Sequence, residues 1–288
     1  MPLPLPIRLI TLAAALLLTS CPPQHSPAEL ETAAPCKRVP ISYQSDGLRI
    51  TGLASKPAGL GPFPIILVNH GGFDPAEKVA VFADLFASAG YLALASDYRG
   101  CGKSEGKHEV AKGEVNDVLN AIRYAQSLRT ADAKRVFLFG FSHGAVLSLL
   151  AAAREPAIGG VIAVQGPVEL AECYAHWVAH RTEPGIAPLA GLHTFVGGTP
   201  EQQPAAWRER SALYAAPRIH CPVLLIYSDA DAAVPADQGP RMEQALKASG
   251  NTHTRLIMLP GLNHGLTPAA WADLRPRMLD FIKNPTGP

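Results

Sequence analysis

The chain has 288 residues, of which 48% are hydrophobic, and its 25 Lys plus Arg nearly balance its 24 Asp plus Glu. That balance leaves no electrostatic footprint for a nucleic-acid partner. The hydrophobic share can fill the core of one large domain, and the sequence shows neither an internal repeat nor a second domain.

The first twenty residues read as an export signal outside the fold. Arg8 is the one early charge, Leu9 to Leu18 is an apolar run too short to span a bilayer as a helix, and small residues follow. The segment Leu18-Thr19-Ser20-Cys21 resembles the bacterial lipobox, whose cysteine receives a diacylglycerol and, after cleavage, an N-acyl chain. Two or three acyl chains hold a protein stably where one does not. Cys21 therefore implies a mature protein anchored to a bacterial membrane, facing the periplasm or the cell exterior. Pro22 to Pro35, rich in Pro, Ala and Glu without hydrophobic periodicity, reads as the tether. The expected organisation is a signal over 1–20, a lipidated tether over 21–35 and one domain over 36–288. Cys36, Cys101, Cys173 and Cys221 remain, and an oxidising compartment would let them pair. Sequence does not choose among the three full pairings and free thiols.

Within the domain, Val39 to Gln44 and Leu48 to Lys56 read as strands joined by the turn Ser45-Asp46-Gly47, a hairpin. Pro64 to Asn69 is a continuous apolar strand of the kind covered on both faces. It ends in His70-Gly71-Gly72-Phe73, where a glycine pair lets backbone N–H groups face a cavity. The Gly72 N–H is the candidate oxyanion donor there, and Phe73 a candidate pocket residue. A helix over 77–88 and a strand from Tyr91 to Ser96 follow. Gly102-Lys103-Ser104 is not a phosphate-binding loop, because Asp97 stands where that motif needs its first glycine. Gly113 to Leu128 carries Val115, Val118, Leu119, Ile122 and Ala125 along one helical face and leads to a strand at Val136 to Phe139. Strand, helix and strand in alternation predict an α/β fold with a mostly parallel sheet.

Gly140-Phe141-Ser142-His143-Gly144 sits between that strand and the helix-forming run Ala145 to Arg154. It reads as a nucleophile elbow, in which small neighbours let strand and helix close on a strained, exposed serine. Ser142 would stand at a helix N-terminus, with the N–H of His143 as a second oxyanion donor. A serine hydroxyl is a weak nucleophile unless a base and an orienting acid accompany it. Gly160 to Gln165 reads as the next strand. Val168 to Ala216 then loses strand periodicity and is expected to form a cap insertion over 168–216, with Trp177 a candidate wall of the substrate pocket. His176 and His180 have metal-like spacing, but Trp177 stands where a zinc protease helix needs Glu and no third ligand is evident, so no metal is expected. Pro222 to Tyr227 is a strand followed by Asp229 and Asp231, Met242 to Ala248 a helix, Thr254 to Leu259 the last strand, and Pro268 to Ile282 a closing helix. His264 follows that last strand. Asp229 and Asp231 compete for the acid, and local pattern does not separate residues two apart on an extended chain.

The order Ser142, acid, His264 is that of α/β-hydrolases. The chain resembles more narrowly the catalytic domain of the prolyl oligopeptidase (peptidase S9) family. The resemblance rests on Gly197-Gly198-Thr199-Pro200-Glu201, Arg208-Glu209-Arg210-Ser211, Cys221 to Ile226, Asp231 with Val234-Pro235, and Leu259-Pro260-Gly261 through His264-Gly265. It extends to Ser45-Asp46-Gly47-Leu48, His70-Gly71-Gly72 and Asp97-Tyr98-Arg99-Gly100, and so covers nearly the whole mature chain. The family places its acid three residues before Val-Pro, which implies Asp231. Many members have Tyr where His143 stands, and the oligopeptidases carry a β-propeller before the hydrolase domain. Here the hydrolase pattern begins within fifteen residues of Cys21, so size screening of that type is not expected. Stand-alone domains of this pattern also resemble dienelactone hydrolases and carboxylesterases. The resulting expectation is a cofactor-independent serine hydrolase that takes a small ester or short peptide, foremost an S9-like peptidase. The alternatives are a carboxylesterase and, from another class, a non-catalytic binding lipoprotein.

Overall fold

Short apolar runs separated by amphipathic helices bury themselves as a sheet with helices on both faces. The computed structural model describes residues 36–183, 186 and 188–287. The expected signal, Cys21 and the whole tether thus lie outside the described residues. Among the described residues the strands are β1 (Arg38–Ser45), β2 (Leu48–Ser55), β3 (Phe63–Asn69), β4 (Leu92–Ser96), β5 (Ala131–Phe141), β6 (Ile158–Val164), β7 (Val223–Ser228) and β8 (Thr254–Leu259). The helices are α1 (Ala80–Ser88), α2 (Gly113–Gln126), α3 (His143–Ala152), α4 (Leu170–Ala179), α5 (His193–Val196), α6 (Pro204–Arg210), α7 (Gln238–Ala248) and α8 (Pro268–Lys283).

All eight strands form one sheet in the order β1-β2-β4-β3-β5-β6-β7-β8. The hairpin β1–β2 is antiparallel and joins β4 antiparallel, while β4, β3 and β5 to β8 run parallel. This is the α/β-hydrolase arrangement. Alternation along β3 sends Ile65 and Leu67 to the face covered by α2, α3 and α7, and Ile66 and Val68 to the face covered by α1 and α8. Each such fully buried aliphatic side chain contributes roughly 1.5–3 kcal/mol. Because β5, β7 and β8 are parallel, the loops that leave them meet at one edge of the sheet.

Some boundaries differ from the sequence expectation for local reasons. The helix expected from Glu77 begins as a 3-10 turn, Ala76–Val79, whose first N–H is held by Asp97 Oδ1 at 2.7 Å. Helix α7 begins at Gln238, before the expected Met242. Pro240 falls in its first turn, where the missing N–H has no role. Gly239 is there because a Cβ would lie 2.6 Å from Cγ of the Tyr227 ring.

Between β6 and β7 no strand forms among the described residues. Leu170, Cys173, Tyr174, Trp177, Leu192 and Trp207 make a separate apolar cluster there. The stretch from Ala212, expected as the end of the cap, forms a 3-10 helix, Ala212–Arg218, whose Ala212, Ala215 and Ala216 pack in the main core. The four described cysteines are free thiols. Burial pushes Cys101 and Cys221 up to about 12, so both stay protonated and inert at neutral pH. Among the described residues no helix is long and apolar enough to cross a membrane.

Candidate active site

The elbow is built by close backbone approach. A Cβ on Gly144 would lie 2.2 Å from the carbonyl oxygen of Asn69, and one on Gly140 would lie 2.2 Å from that of Gly144. Only glycine fits either place, so β5 turns into α3 directly beside the end of β3. Ser142 takes φ 54° and ψ −118°, a strained conformation for a side-chain-bearing residue. Its N–H is held by the carbonyl of Val164 at 2.8 Å. Behind the turn Asn69 Nδ2 donates to Ser148 Oγ at 2.8 Å, and that hydroxyl donates to the carbonyl of Gly144 at 2.7 Å.

The loop after β8 brings His264 over the elbow. Ser142 Oγ lies 2.9 Å from His264 Nε2, and His264 Nδ1 lies 2.8 Å from Asp231 Oδ2. With the ring proton on Nδ1, the hydroxyl donates to the imidazole and the imidazole to the carboxylate. The other Asp231 oxygen accepts the N–H groups of Ala233 and Val234 at 2.8 and 2.9 Å. Its side chain is almost wholly buried, so the carboxylate is fixed by three hydrogen bonds. Asp229 does something else: its Oδ1 accepts the N–H of Gly261 at 2.6 Å and braces the turn after β8.

Two positioning residues were not found by sequence reasoning. Gln165, buried and in a left-handed conformation at φ 49°, accepts the N–H of Gly265 at 2.8 Å and donates to the carbonyl of Asn263 at 3.2 Å. Asn263 Oδ1 accepts the N–H groups of Ala232 and His264 and so ties the acid loop to the histidine loop. The one available signal was a glutamine ending an otherwise apolar strand.

Gly71 packs against Ser142, since a Cβ there would lie 3.0 Å from Ser142 Cβ, and Gly72 turns away at φ 54°. His143 is the first residue of α3, so its N–H has no partner within the helix. Among the described residues the N–H of Gly72 has no hydrogen-bond partner either. Both can therefore serve an oxyanion beside Ser142.

Ser142 and His264 open into a cavity of about 720 Å³ whose wall is mostly apolar. Phe73 and Trp177, the two residues expected at the pocket, both line it, with Leu170, Leu189, Leu192 and Val234. Phe73 stacks on His108 at 4.1 Å between ring centres and meets Phe195 at 5.3 Å. Trp177 is buried, and its Nε1 donates to the carbonyl of Ala233 at 2.6 Å, two residues beyond Asp231. Trp177→Ala is expected to shift the preference between short and long acyl chains roughly tenfold in kcat/KM, because apolar wall is lost. Losing the bond to Ala233 should lower Tm as well. A lower Tm with unchanged chain-length preference would make Trp177 a packing residue only. His176 and His180 do not face one ligand: His176 Nε2 meets the carbonyl of Ala232 at 2.8 Å, and His180 Nδ1 that of His176 at 2.9 Å.

Two further imidazoles flank the oxyanion loop. His70 stacks on Tyr98 at 4.1 Å between ring centres, His143 meets the same ring edge-on, and the Nε2 of each is buried without a hydrogen-bond partner. Burial lowers both to a pKa of about 4, so both are neutral in the folded protein near pH 7. The unfolded chain binds these protons below about 6.5 and the folded one only near 4, so stability is full above pH 6.5 and is lost as the pH falls from there toward 4. Urea unfolding of the wild type and His70→Phe at stepped pH checks this. The variant's midpoint should fall less steeply between pH 6.5 and 4.5, and parallel curves would contradict the expectation.

The profile of the prolyl oligopeptidase family matches residues 79–288. The chain is 27% identical over 215 residues to the uncharacterized peptidase YtmA of Bacillus subtilis, covering 72% of this chain and 78% of that one. Among solved structures it superposes on the acylaminoacyl peptidase of Pyrococcus horikoshii with a TM-score of 0.72 at 20% identity, over 86% of this chain and 41% of that one. The chain thus spans less than half the length of that enzyme. An esterase of Pyrococcus furiosus superposes with a TM-score of 0.69 at 18% identity, over 92% of this chain and 99% of that one.

Proposed function

The chain belongs to the prolyl oligopeptidase family and is a serine hydrolase, and on that premise we propose that it cleaves amide or ester bonds through an acyl-enzyme on Ser142. The relay of hydrogen bonds from Ser142 through His264 to Asp231 carries this reading. His264 Nε2 takes the hydroxyl proton as Ser142 Oγ attacks the substrate carbonyl. Asp231 keeps the Nδ1–H tautomer and stabilises the imidazolium that forms. The N–H groups of Gly72 and His143 hold the developing oxyanion. His264 then protonates the departing amine or alcohol, and water, activated by the same imidazole, releases the acyl group.

The substrate is a small ester or short peptide. A peptidase action on a neutral, apolar acyl residue fits the mostly apolar wall, in which Asp74 and Lys78 are the charged groups beside the triad. Acylaminoacyl peptidase is the activity named for one superposable structure. The esterase reading is supported by the near full-length match to a stand-alone esterase. Nitrophenyl esters of graded chain length, assayed beside aminoacyl and acylated peptidyl nitroanilides, test both. Turnover of the nitroanilides is expected. Ester turnover alone would leave an esterase, and turnover of neither would overturn the proposal.

The protein is further proposed to be exported and held to a bacterial membrane by lipid on Cys21. Cys21→Ser is expected to release it from the membrane fraction with its catalytic activity unchanged, because the tether is too polar to belong to the core. Cell fractionation with an ester assay checks this, and retention on membranes would point to a different anchor.

A further inference from the structure

The chain enters the fold far from the cavity. Arg38 in β1 lies opposite Ser55 in β2, and Ser55 lies opposite Ala93 near the start of β4. Cys36, whose N–H bonds the carbonyl of Lys56, is therefore at the edge of the sheet where the parallel strands begin. Ser142 and His264 follow the ends of β5 and β8, at the opposite edge.

The edge at which the chain enters is basic. Lys37, Arg129, Lys134, Arg135, Arg218 and Lys283 are exposed there, on the segments leading into β1, β5 and β7, in the first half of β5 and at the end of α8. The carboxylates among them are Asp132, Glu155 and Asp280, and the neighbouring Arg38 is paired with Asp84 and Glu77. Leu60, 95% exposed, stands in the same region, one residue from Gly61, which packs against the carbonyl of Thr130. At the cavity edge the signs mix: Asp74, Glu105, Glu109 and Asp229 stand with Lys78, Lys103 and Lys107. A chain with 25 cations against 24 anions has gathered cations at the end where its tether joins.

We infer that this basic edge docks on the headgroups of an anionic bilayer and holds the domain with its cavity turned toward the aqueous phase. The inference rests on the proposed anchor at Cys21 and supplies what an anchor alone does not. Residues 22–35 span at most about 50 Å when extended, and a globule of this size is roughly 45 Å across. An anchor by itself would thus let the domain roll until the cavity met lipid. Each Lys or Arg near an anionic surface favours the docked state about fivefold, and Leu60 adds an apolar contact at headgroup depth. The consequence for function is that substrate arrives from solution, as a soluble ester or peptide, and bilayer lipid is kept from Ser142.

The test uses the full acylated chain, purified from membranes in detergent and placed on vesicles of phosphatidylcholine with or without phosphatidylglycerol, with amide hydrogen exchange read by mass spectrometry. Segments 56–62 and 128–135 should exchange about tenfold more slowly on the anionic vesicles only, and the difference should vanish in about 0.5 M salt. Segments 72–79 and 188–196, at the cavity, should be unchanged. The combined variant Lys134→Glu, Arg135→Glu, Arg218→Glu should lose the slowing and keep wild-type turnover of a soluble nitrophenyl ester. Slowing at the cavity segments, or equal exchange on both vesicles, overturns the inference. If the chain proves unacylated and leaves phosphatidylcholine vesicles, the anchor fails. Slowing on anionic vesicles would then still uphold the basic edge, and its absence would overturn it.

Discussion

Replacing Ser142 or His264 by alanine should lower kcat by roughly four to six orders of magnitude, and the double variant should be little worse than either single one. Nucleophile and base act as one unit, since His264 Nε2 has no catalytic use without the Ser142 hydroxyl 2.9 Å away. Asp231→Asn should fall by roughly 10⁴ and keep a small residual rate, because the amide no longer selects the Nδ1–H tautomer. Asp229→Asn should keep most of the activity, as an amide oxygen can still accept the N–H of Gly261. Steady-state kinetics on one nitrophenyl ester, with Tm measured for every variant, separates these cases. A larger loss for Asp229→Asn than for Asp231→Asn would reverse the assignment of the acid.

The largest effect on stability is expected at Asp117. Its side chain is wholly buried on α2 and accepts both the N–H and the guanidinium of Arg99, with Arg99 only 6% exposed. Burial alone would make the Arg99 guanidinium easier to deprotonate, but hydrogen bonds to Asp117 and Asp46 hold it well above the usual arginine range. Asp117→Ala leaves a buried cation without its main partner, at about 3–5 kcal/mol, or roughly a 10 °C fall in Tm for a domain of this size. Asp46 also pairs with Arg99 but is half-exposed, so Asp46→Ala should cost about 1 kcal/mol or less. Thermal unfolding of the two variants checks the ranking. Equal losses would mean that the Asp117 pair is no stronger than a surface one.

The fold was legible in the sequence where local pattern and burial agree. β8 occupies Thr254 to Leu259 as read, and the hairpin Ser45-Asp46-Gly47 turns where its turn residues stand. Legibility failed where a distant contact sets the local structure. Gly239 and Pro240 look like a break in the chain, yet Tyr227 from β7 requires the glycine inside α7. The 168–216 segment gave no period because its short helices pack around Tyr174, Trp177 and Trp207, not along one amphipathic face. At the site, Ser142 carried its own signal through Gly140 and Gly144. Asp231 and Asp229 could be told apart only through the Val234-Pro235 that follows, because the distinction is a contact with His264, 33 residues further along the chain. Gln165 acts through backbone groups about 100 residues away, and Asn263 reaches back 31 residues to the N–H of Ala232, and no local pattern marks such bonds.

Labelling with a serine-reactive fluorophosphonate, read by peptide mass spectrometry, tests whether the elbow serine is the nucleophile. The folded wild type should carry the adduct on Ser142 and on no other serine. His264→Ala should be labelled far more slowly, because its hydroxyl has lost its base. An unlabelled Ser142 in folded protein, or equal labelling with and without His264, would contradict an acyl-enzyme formed by this triad.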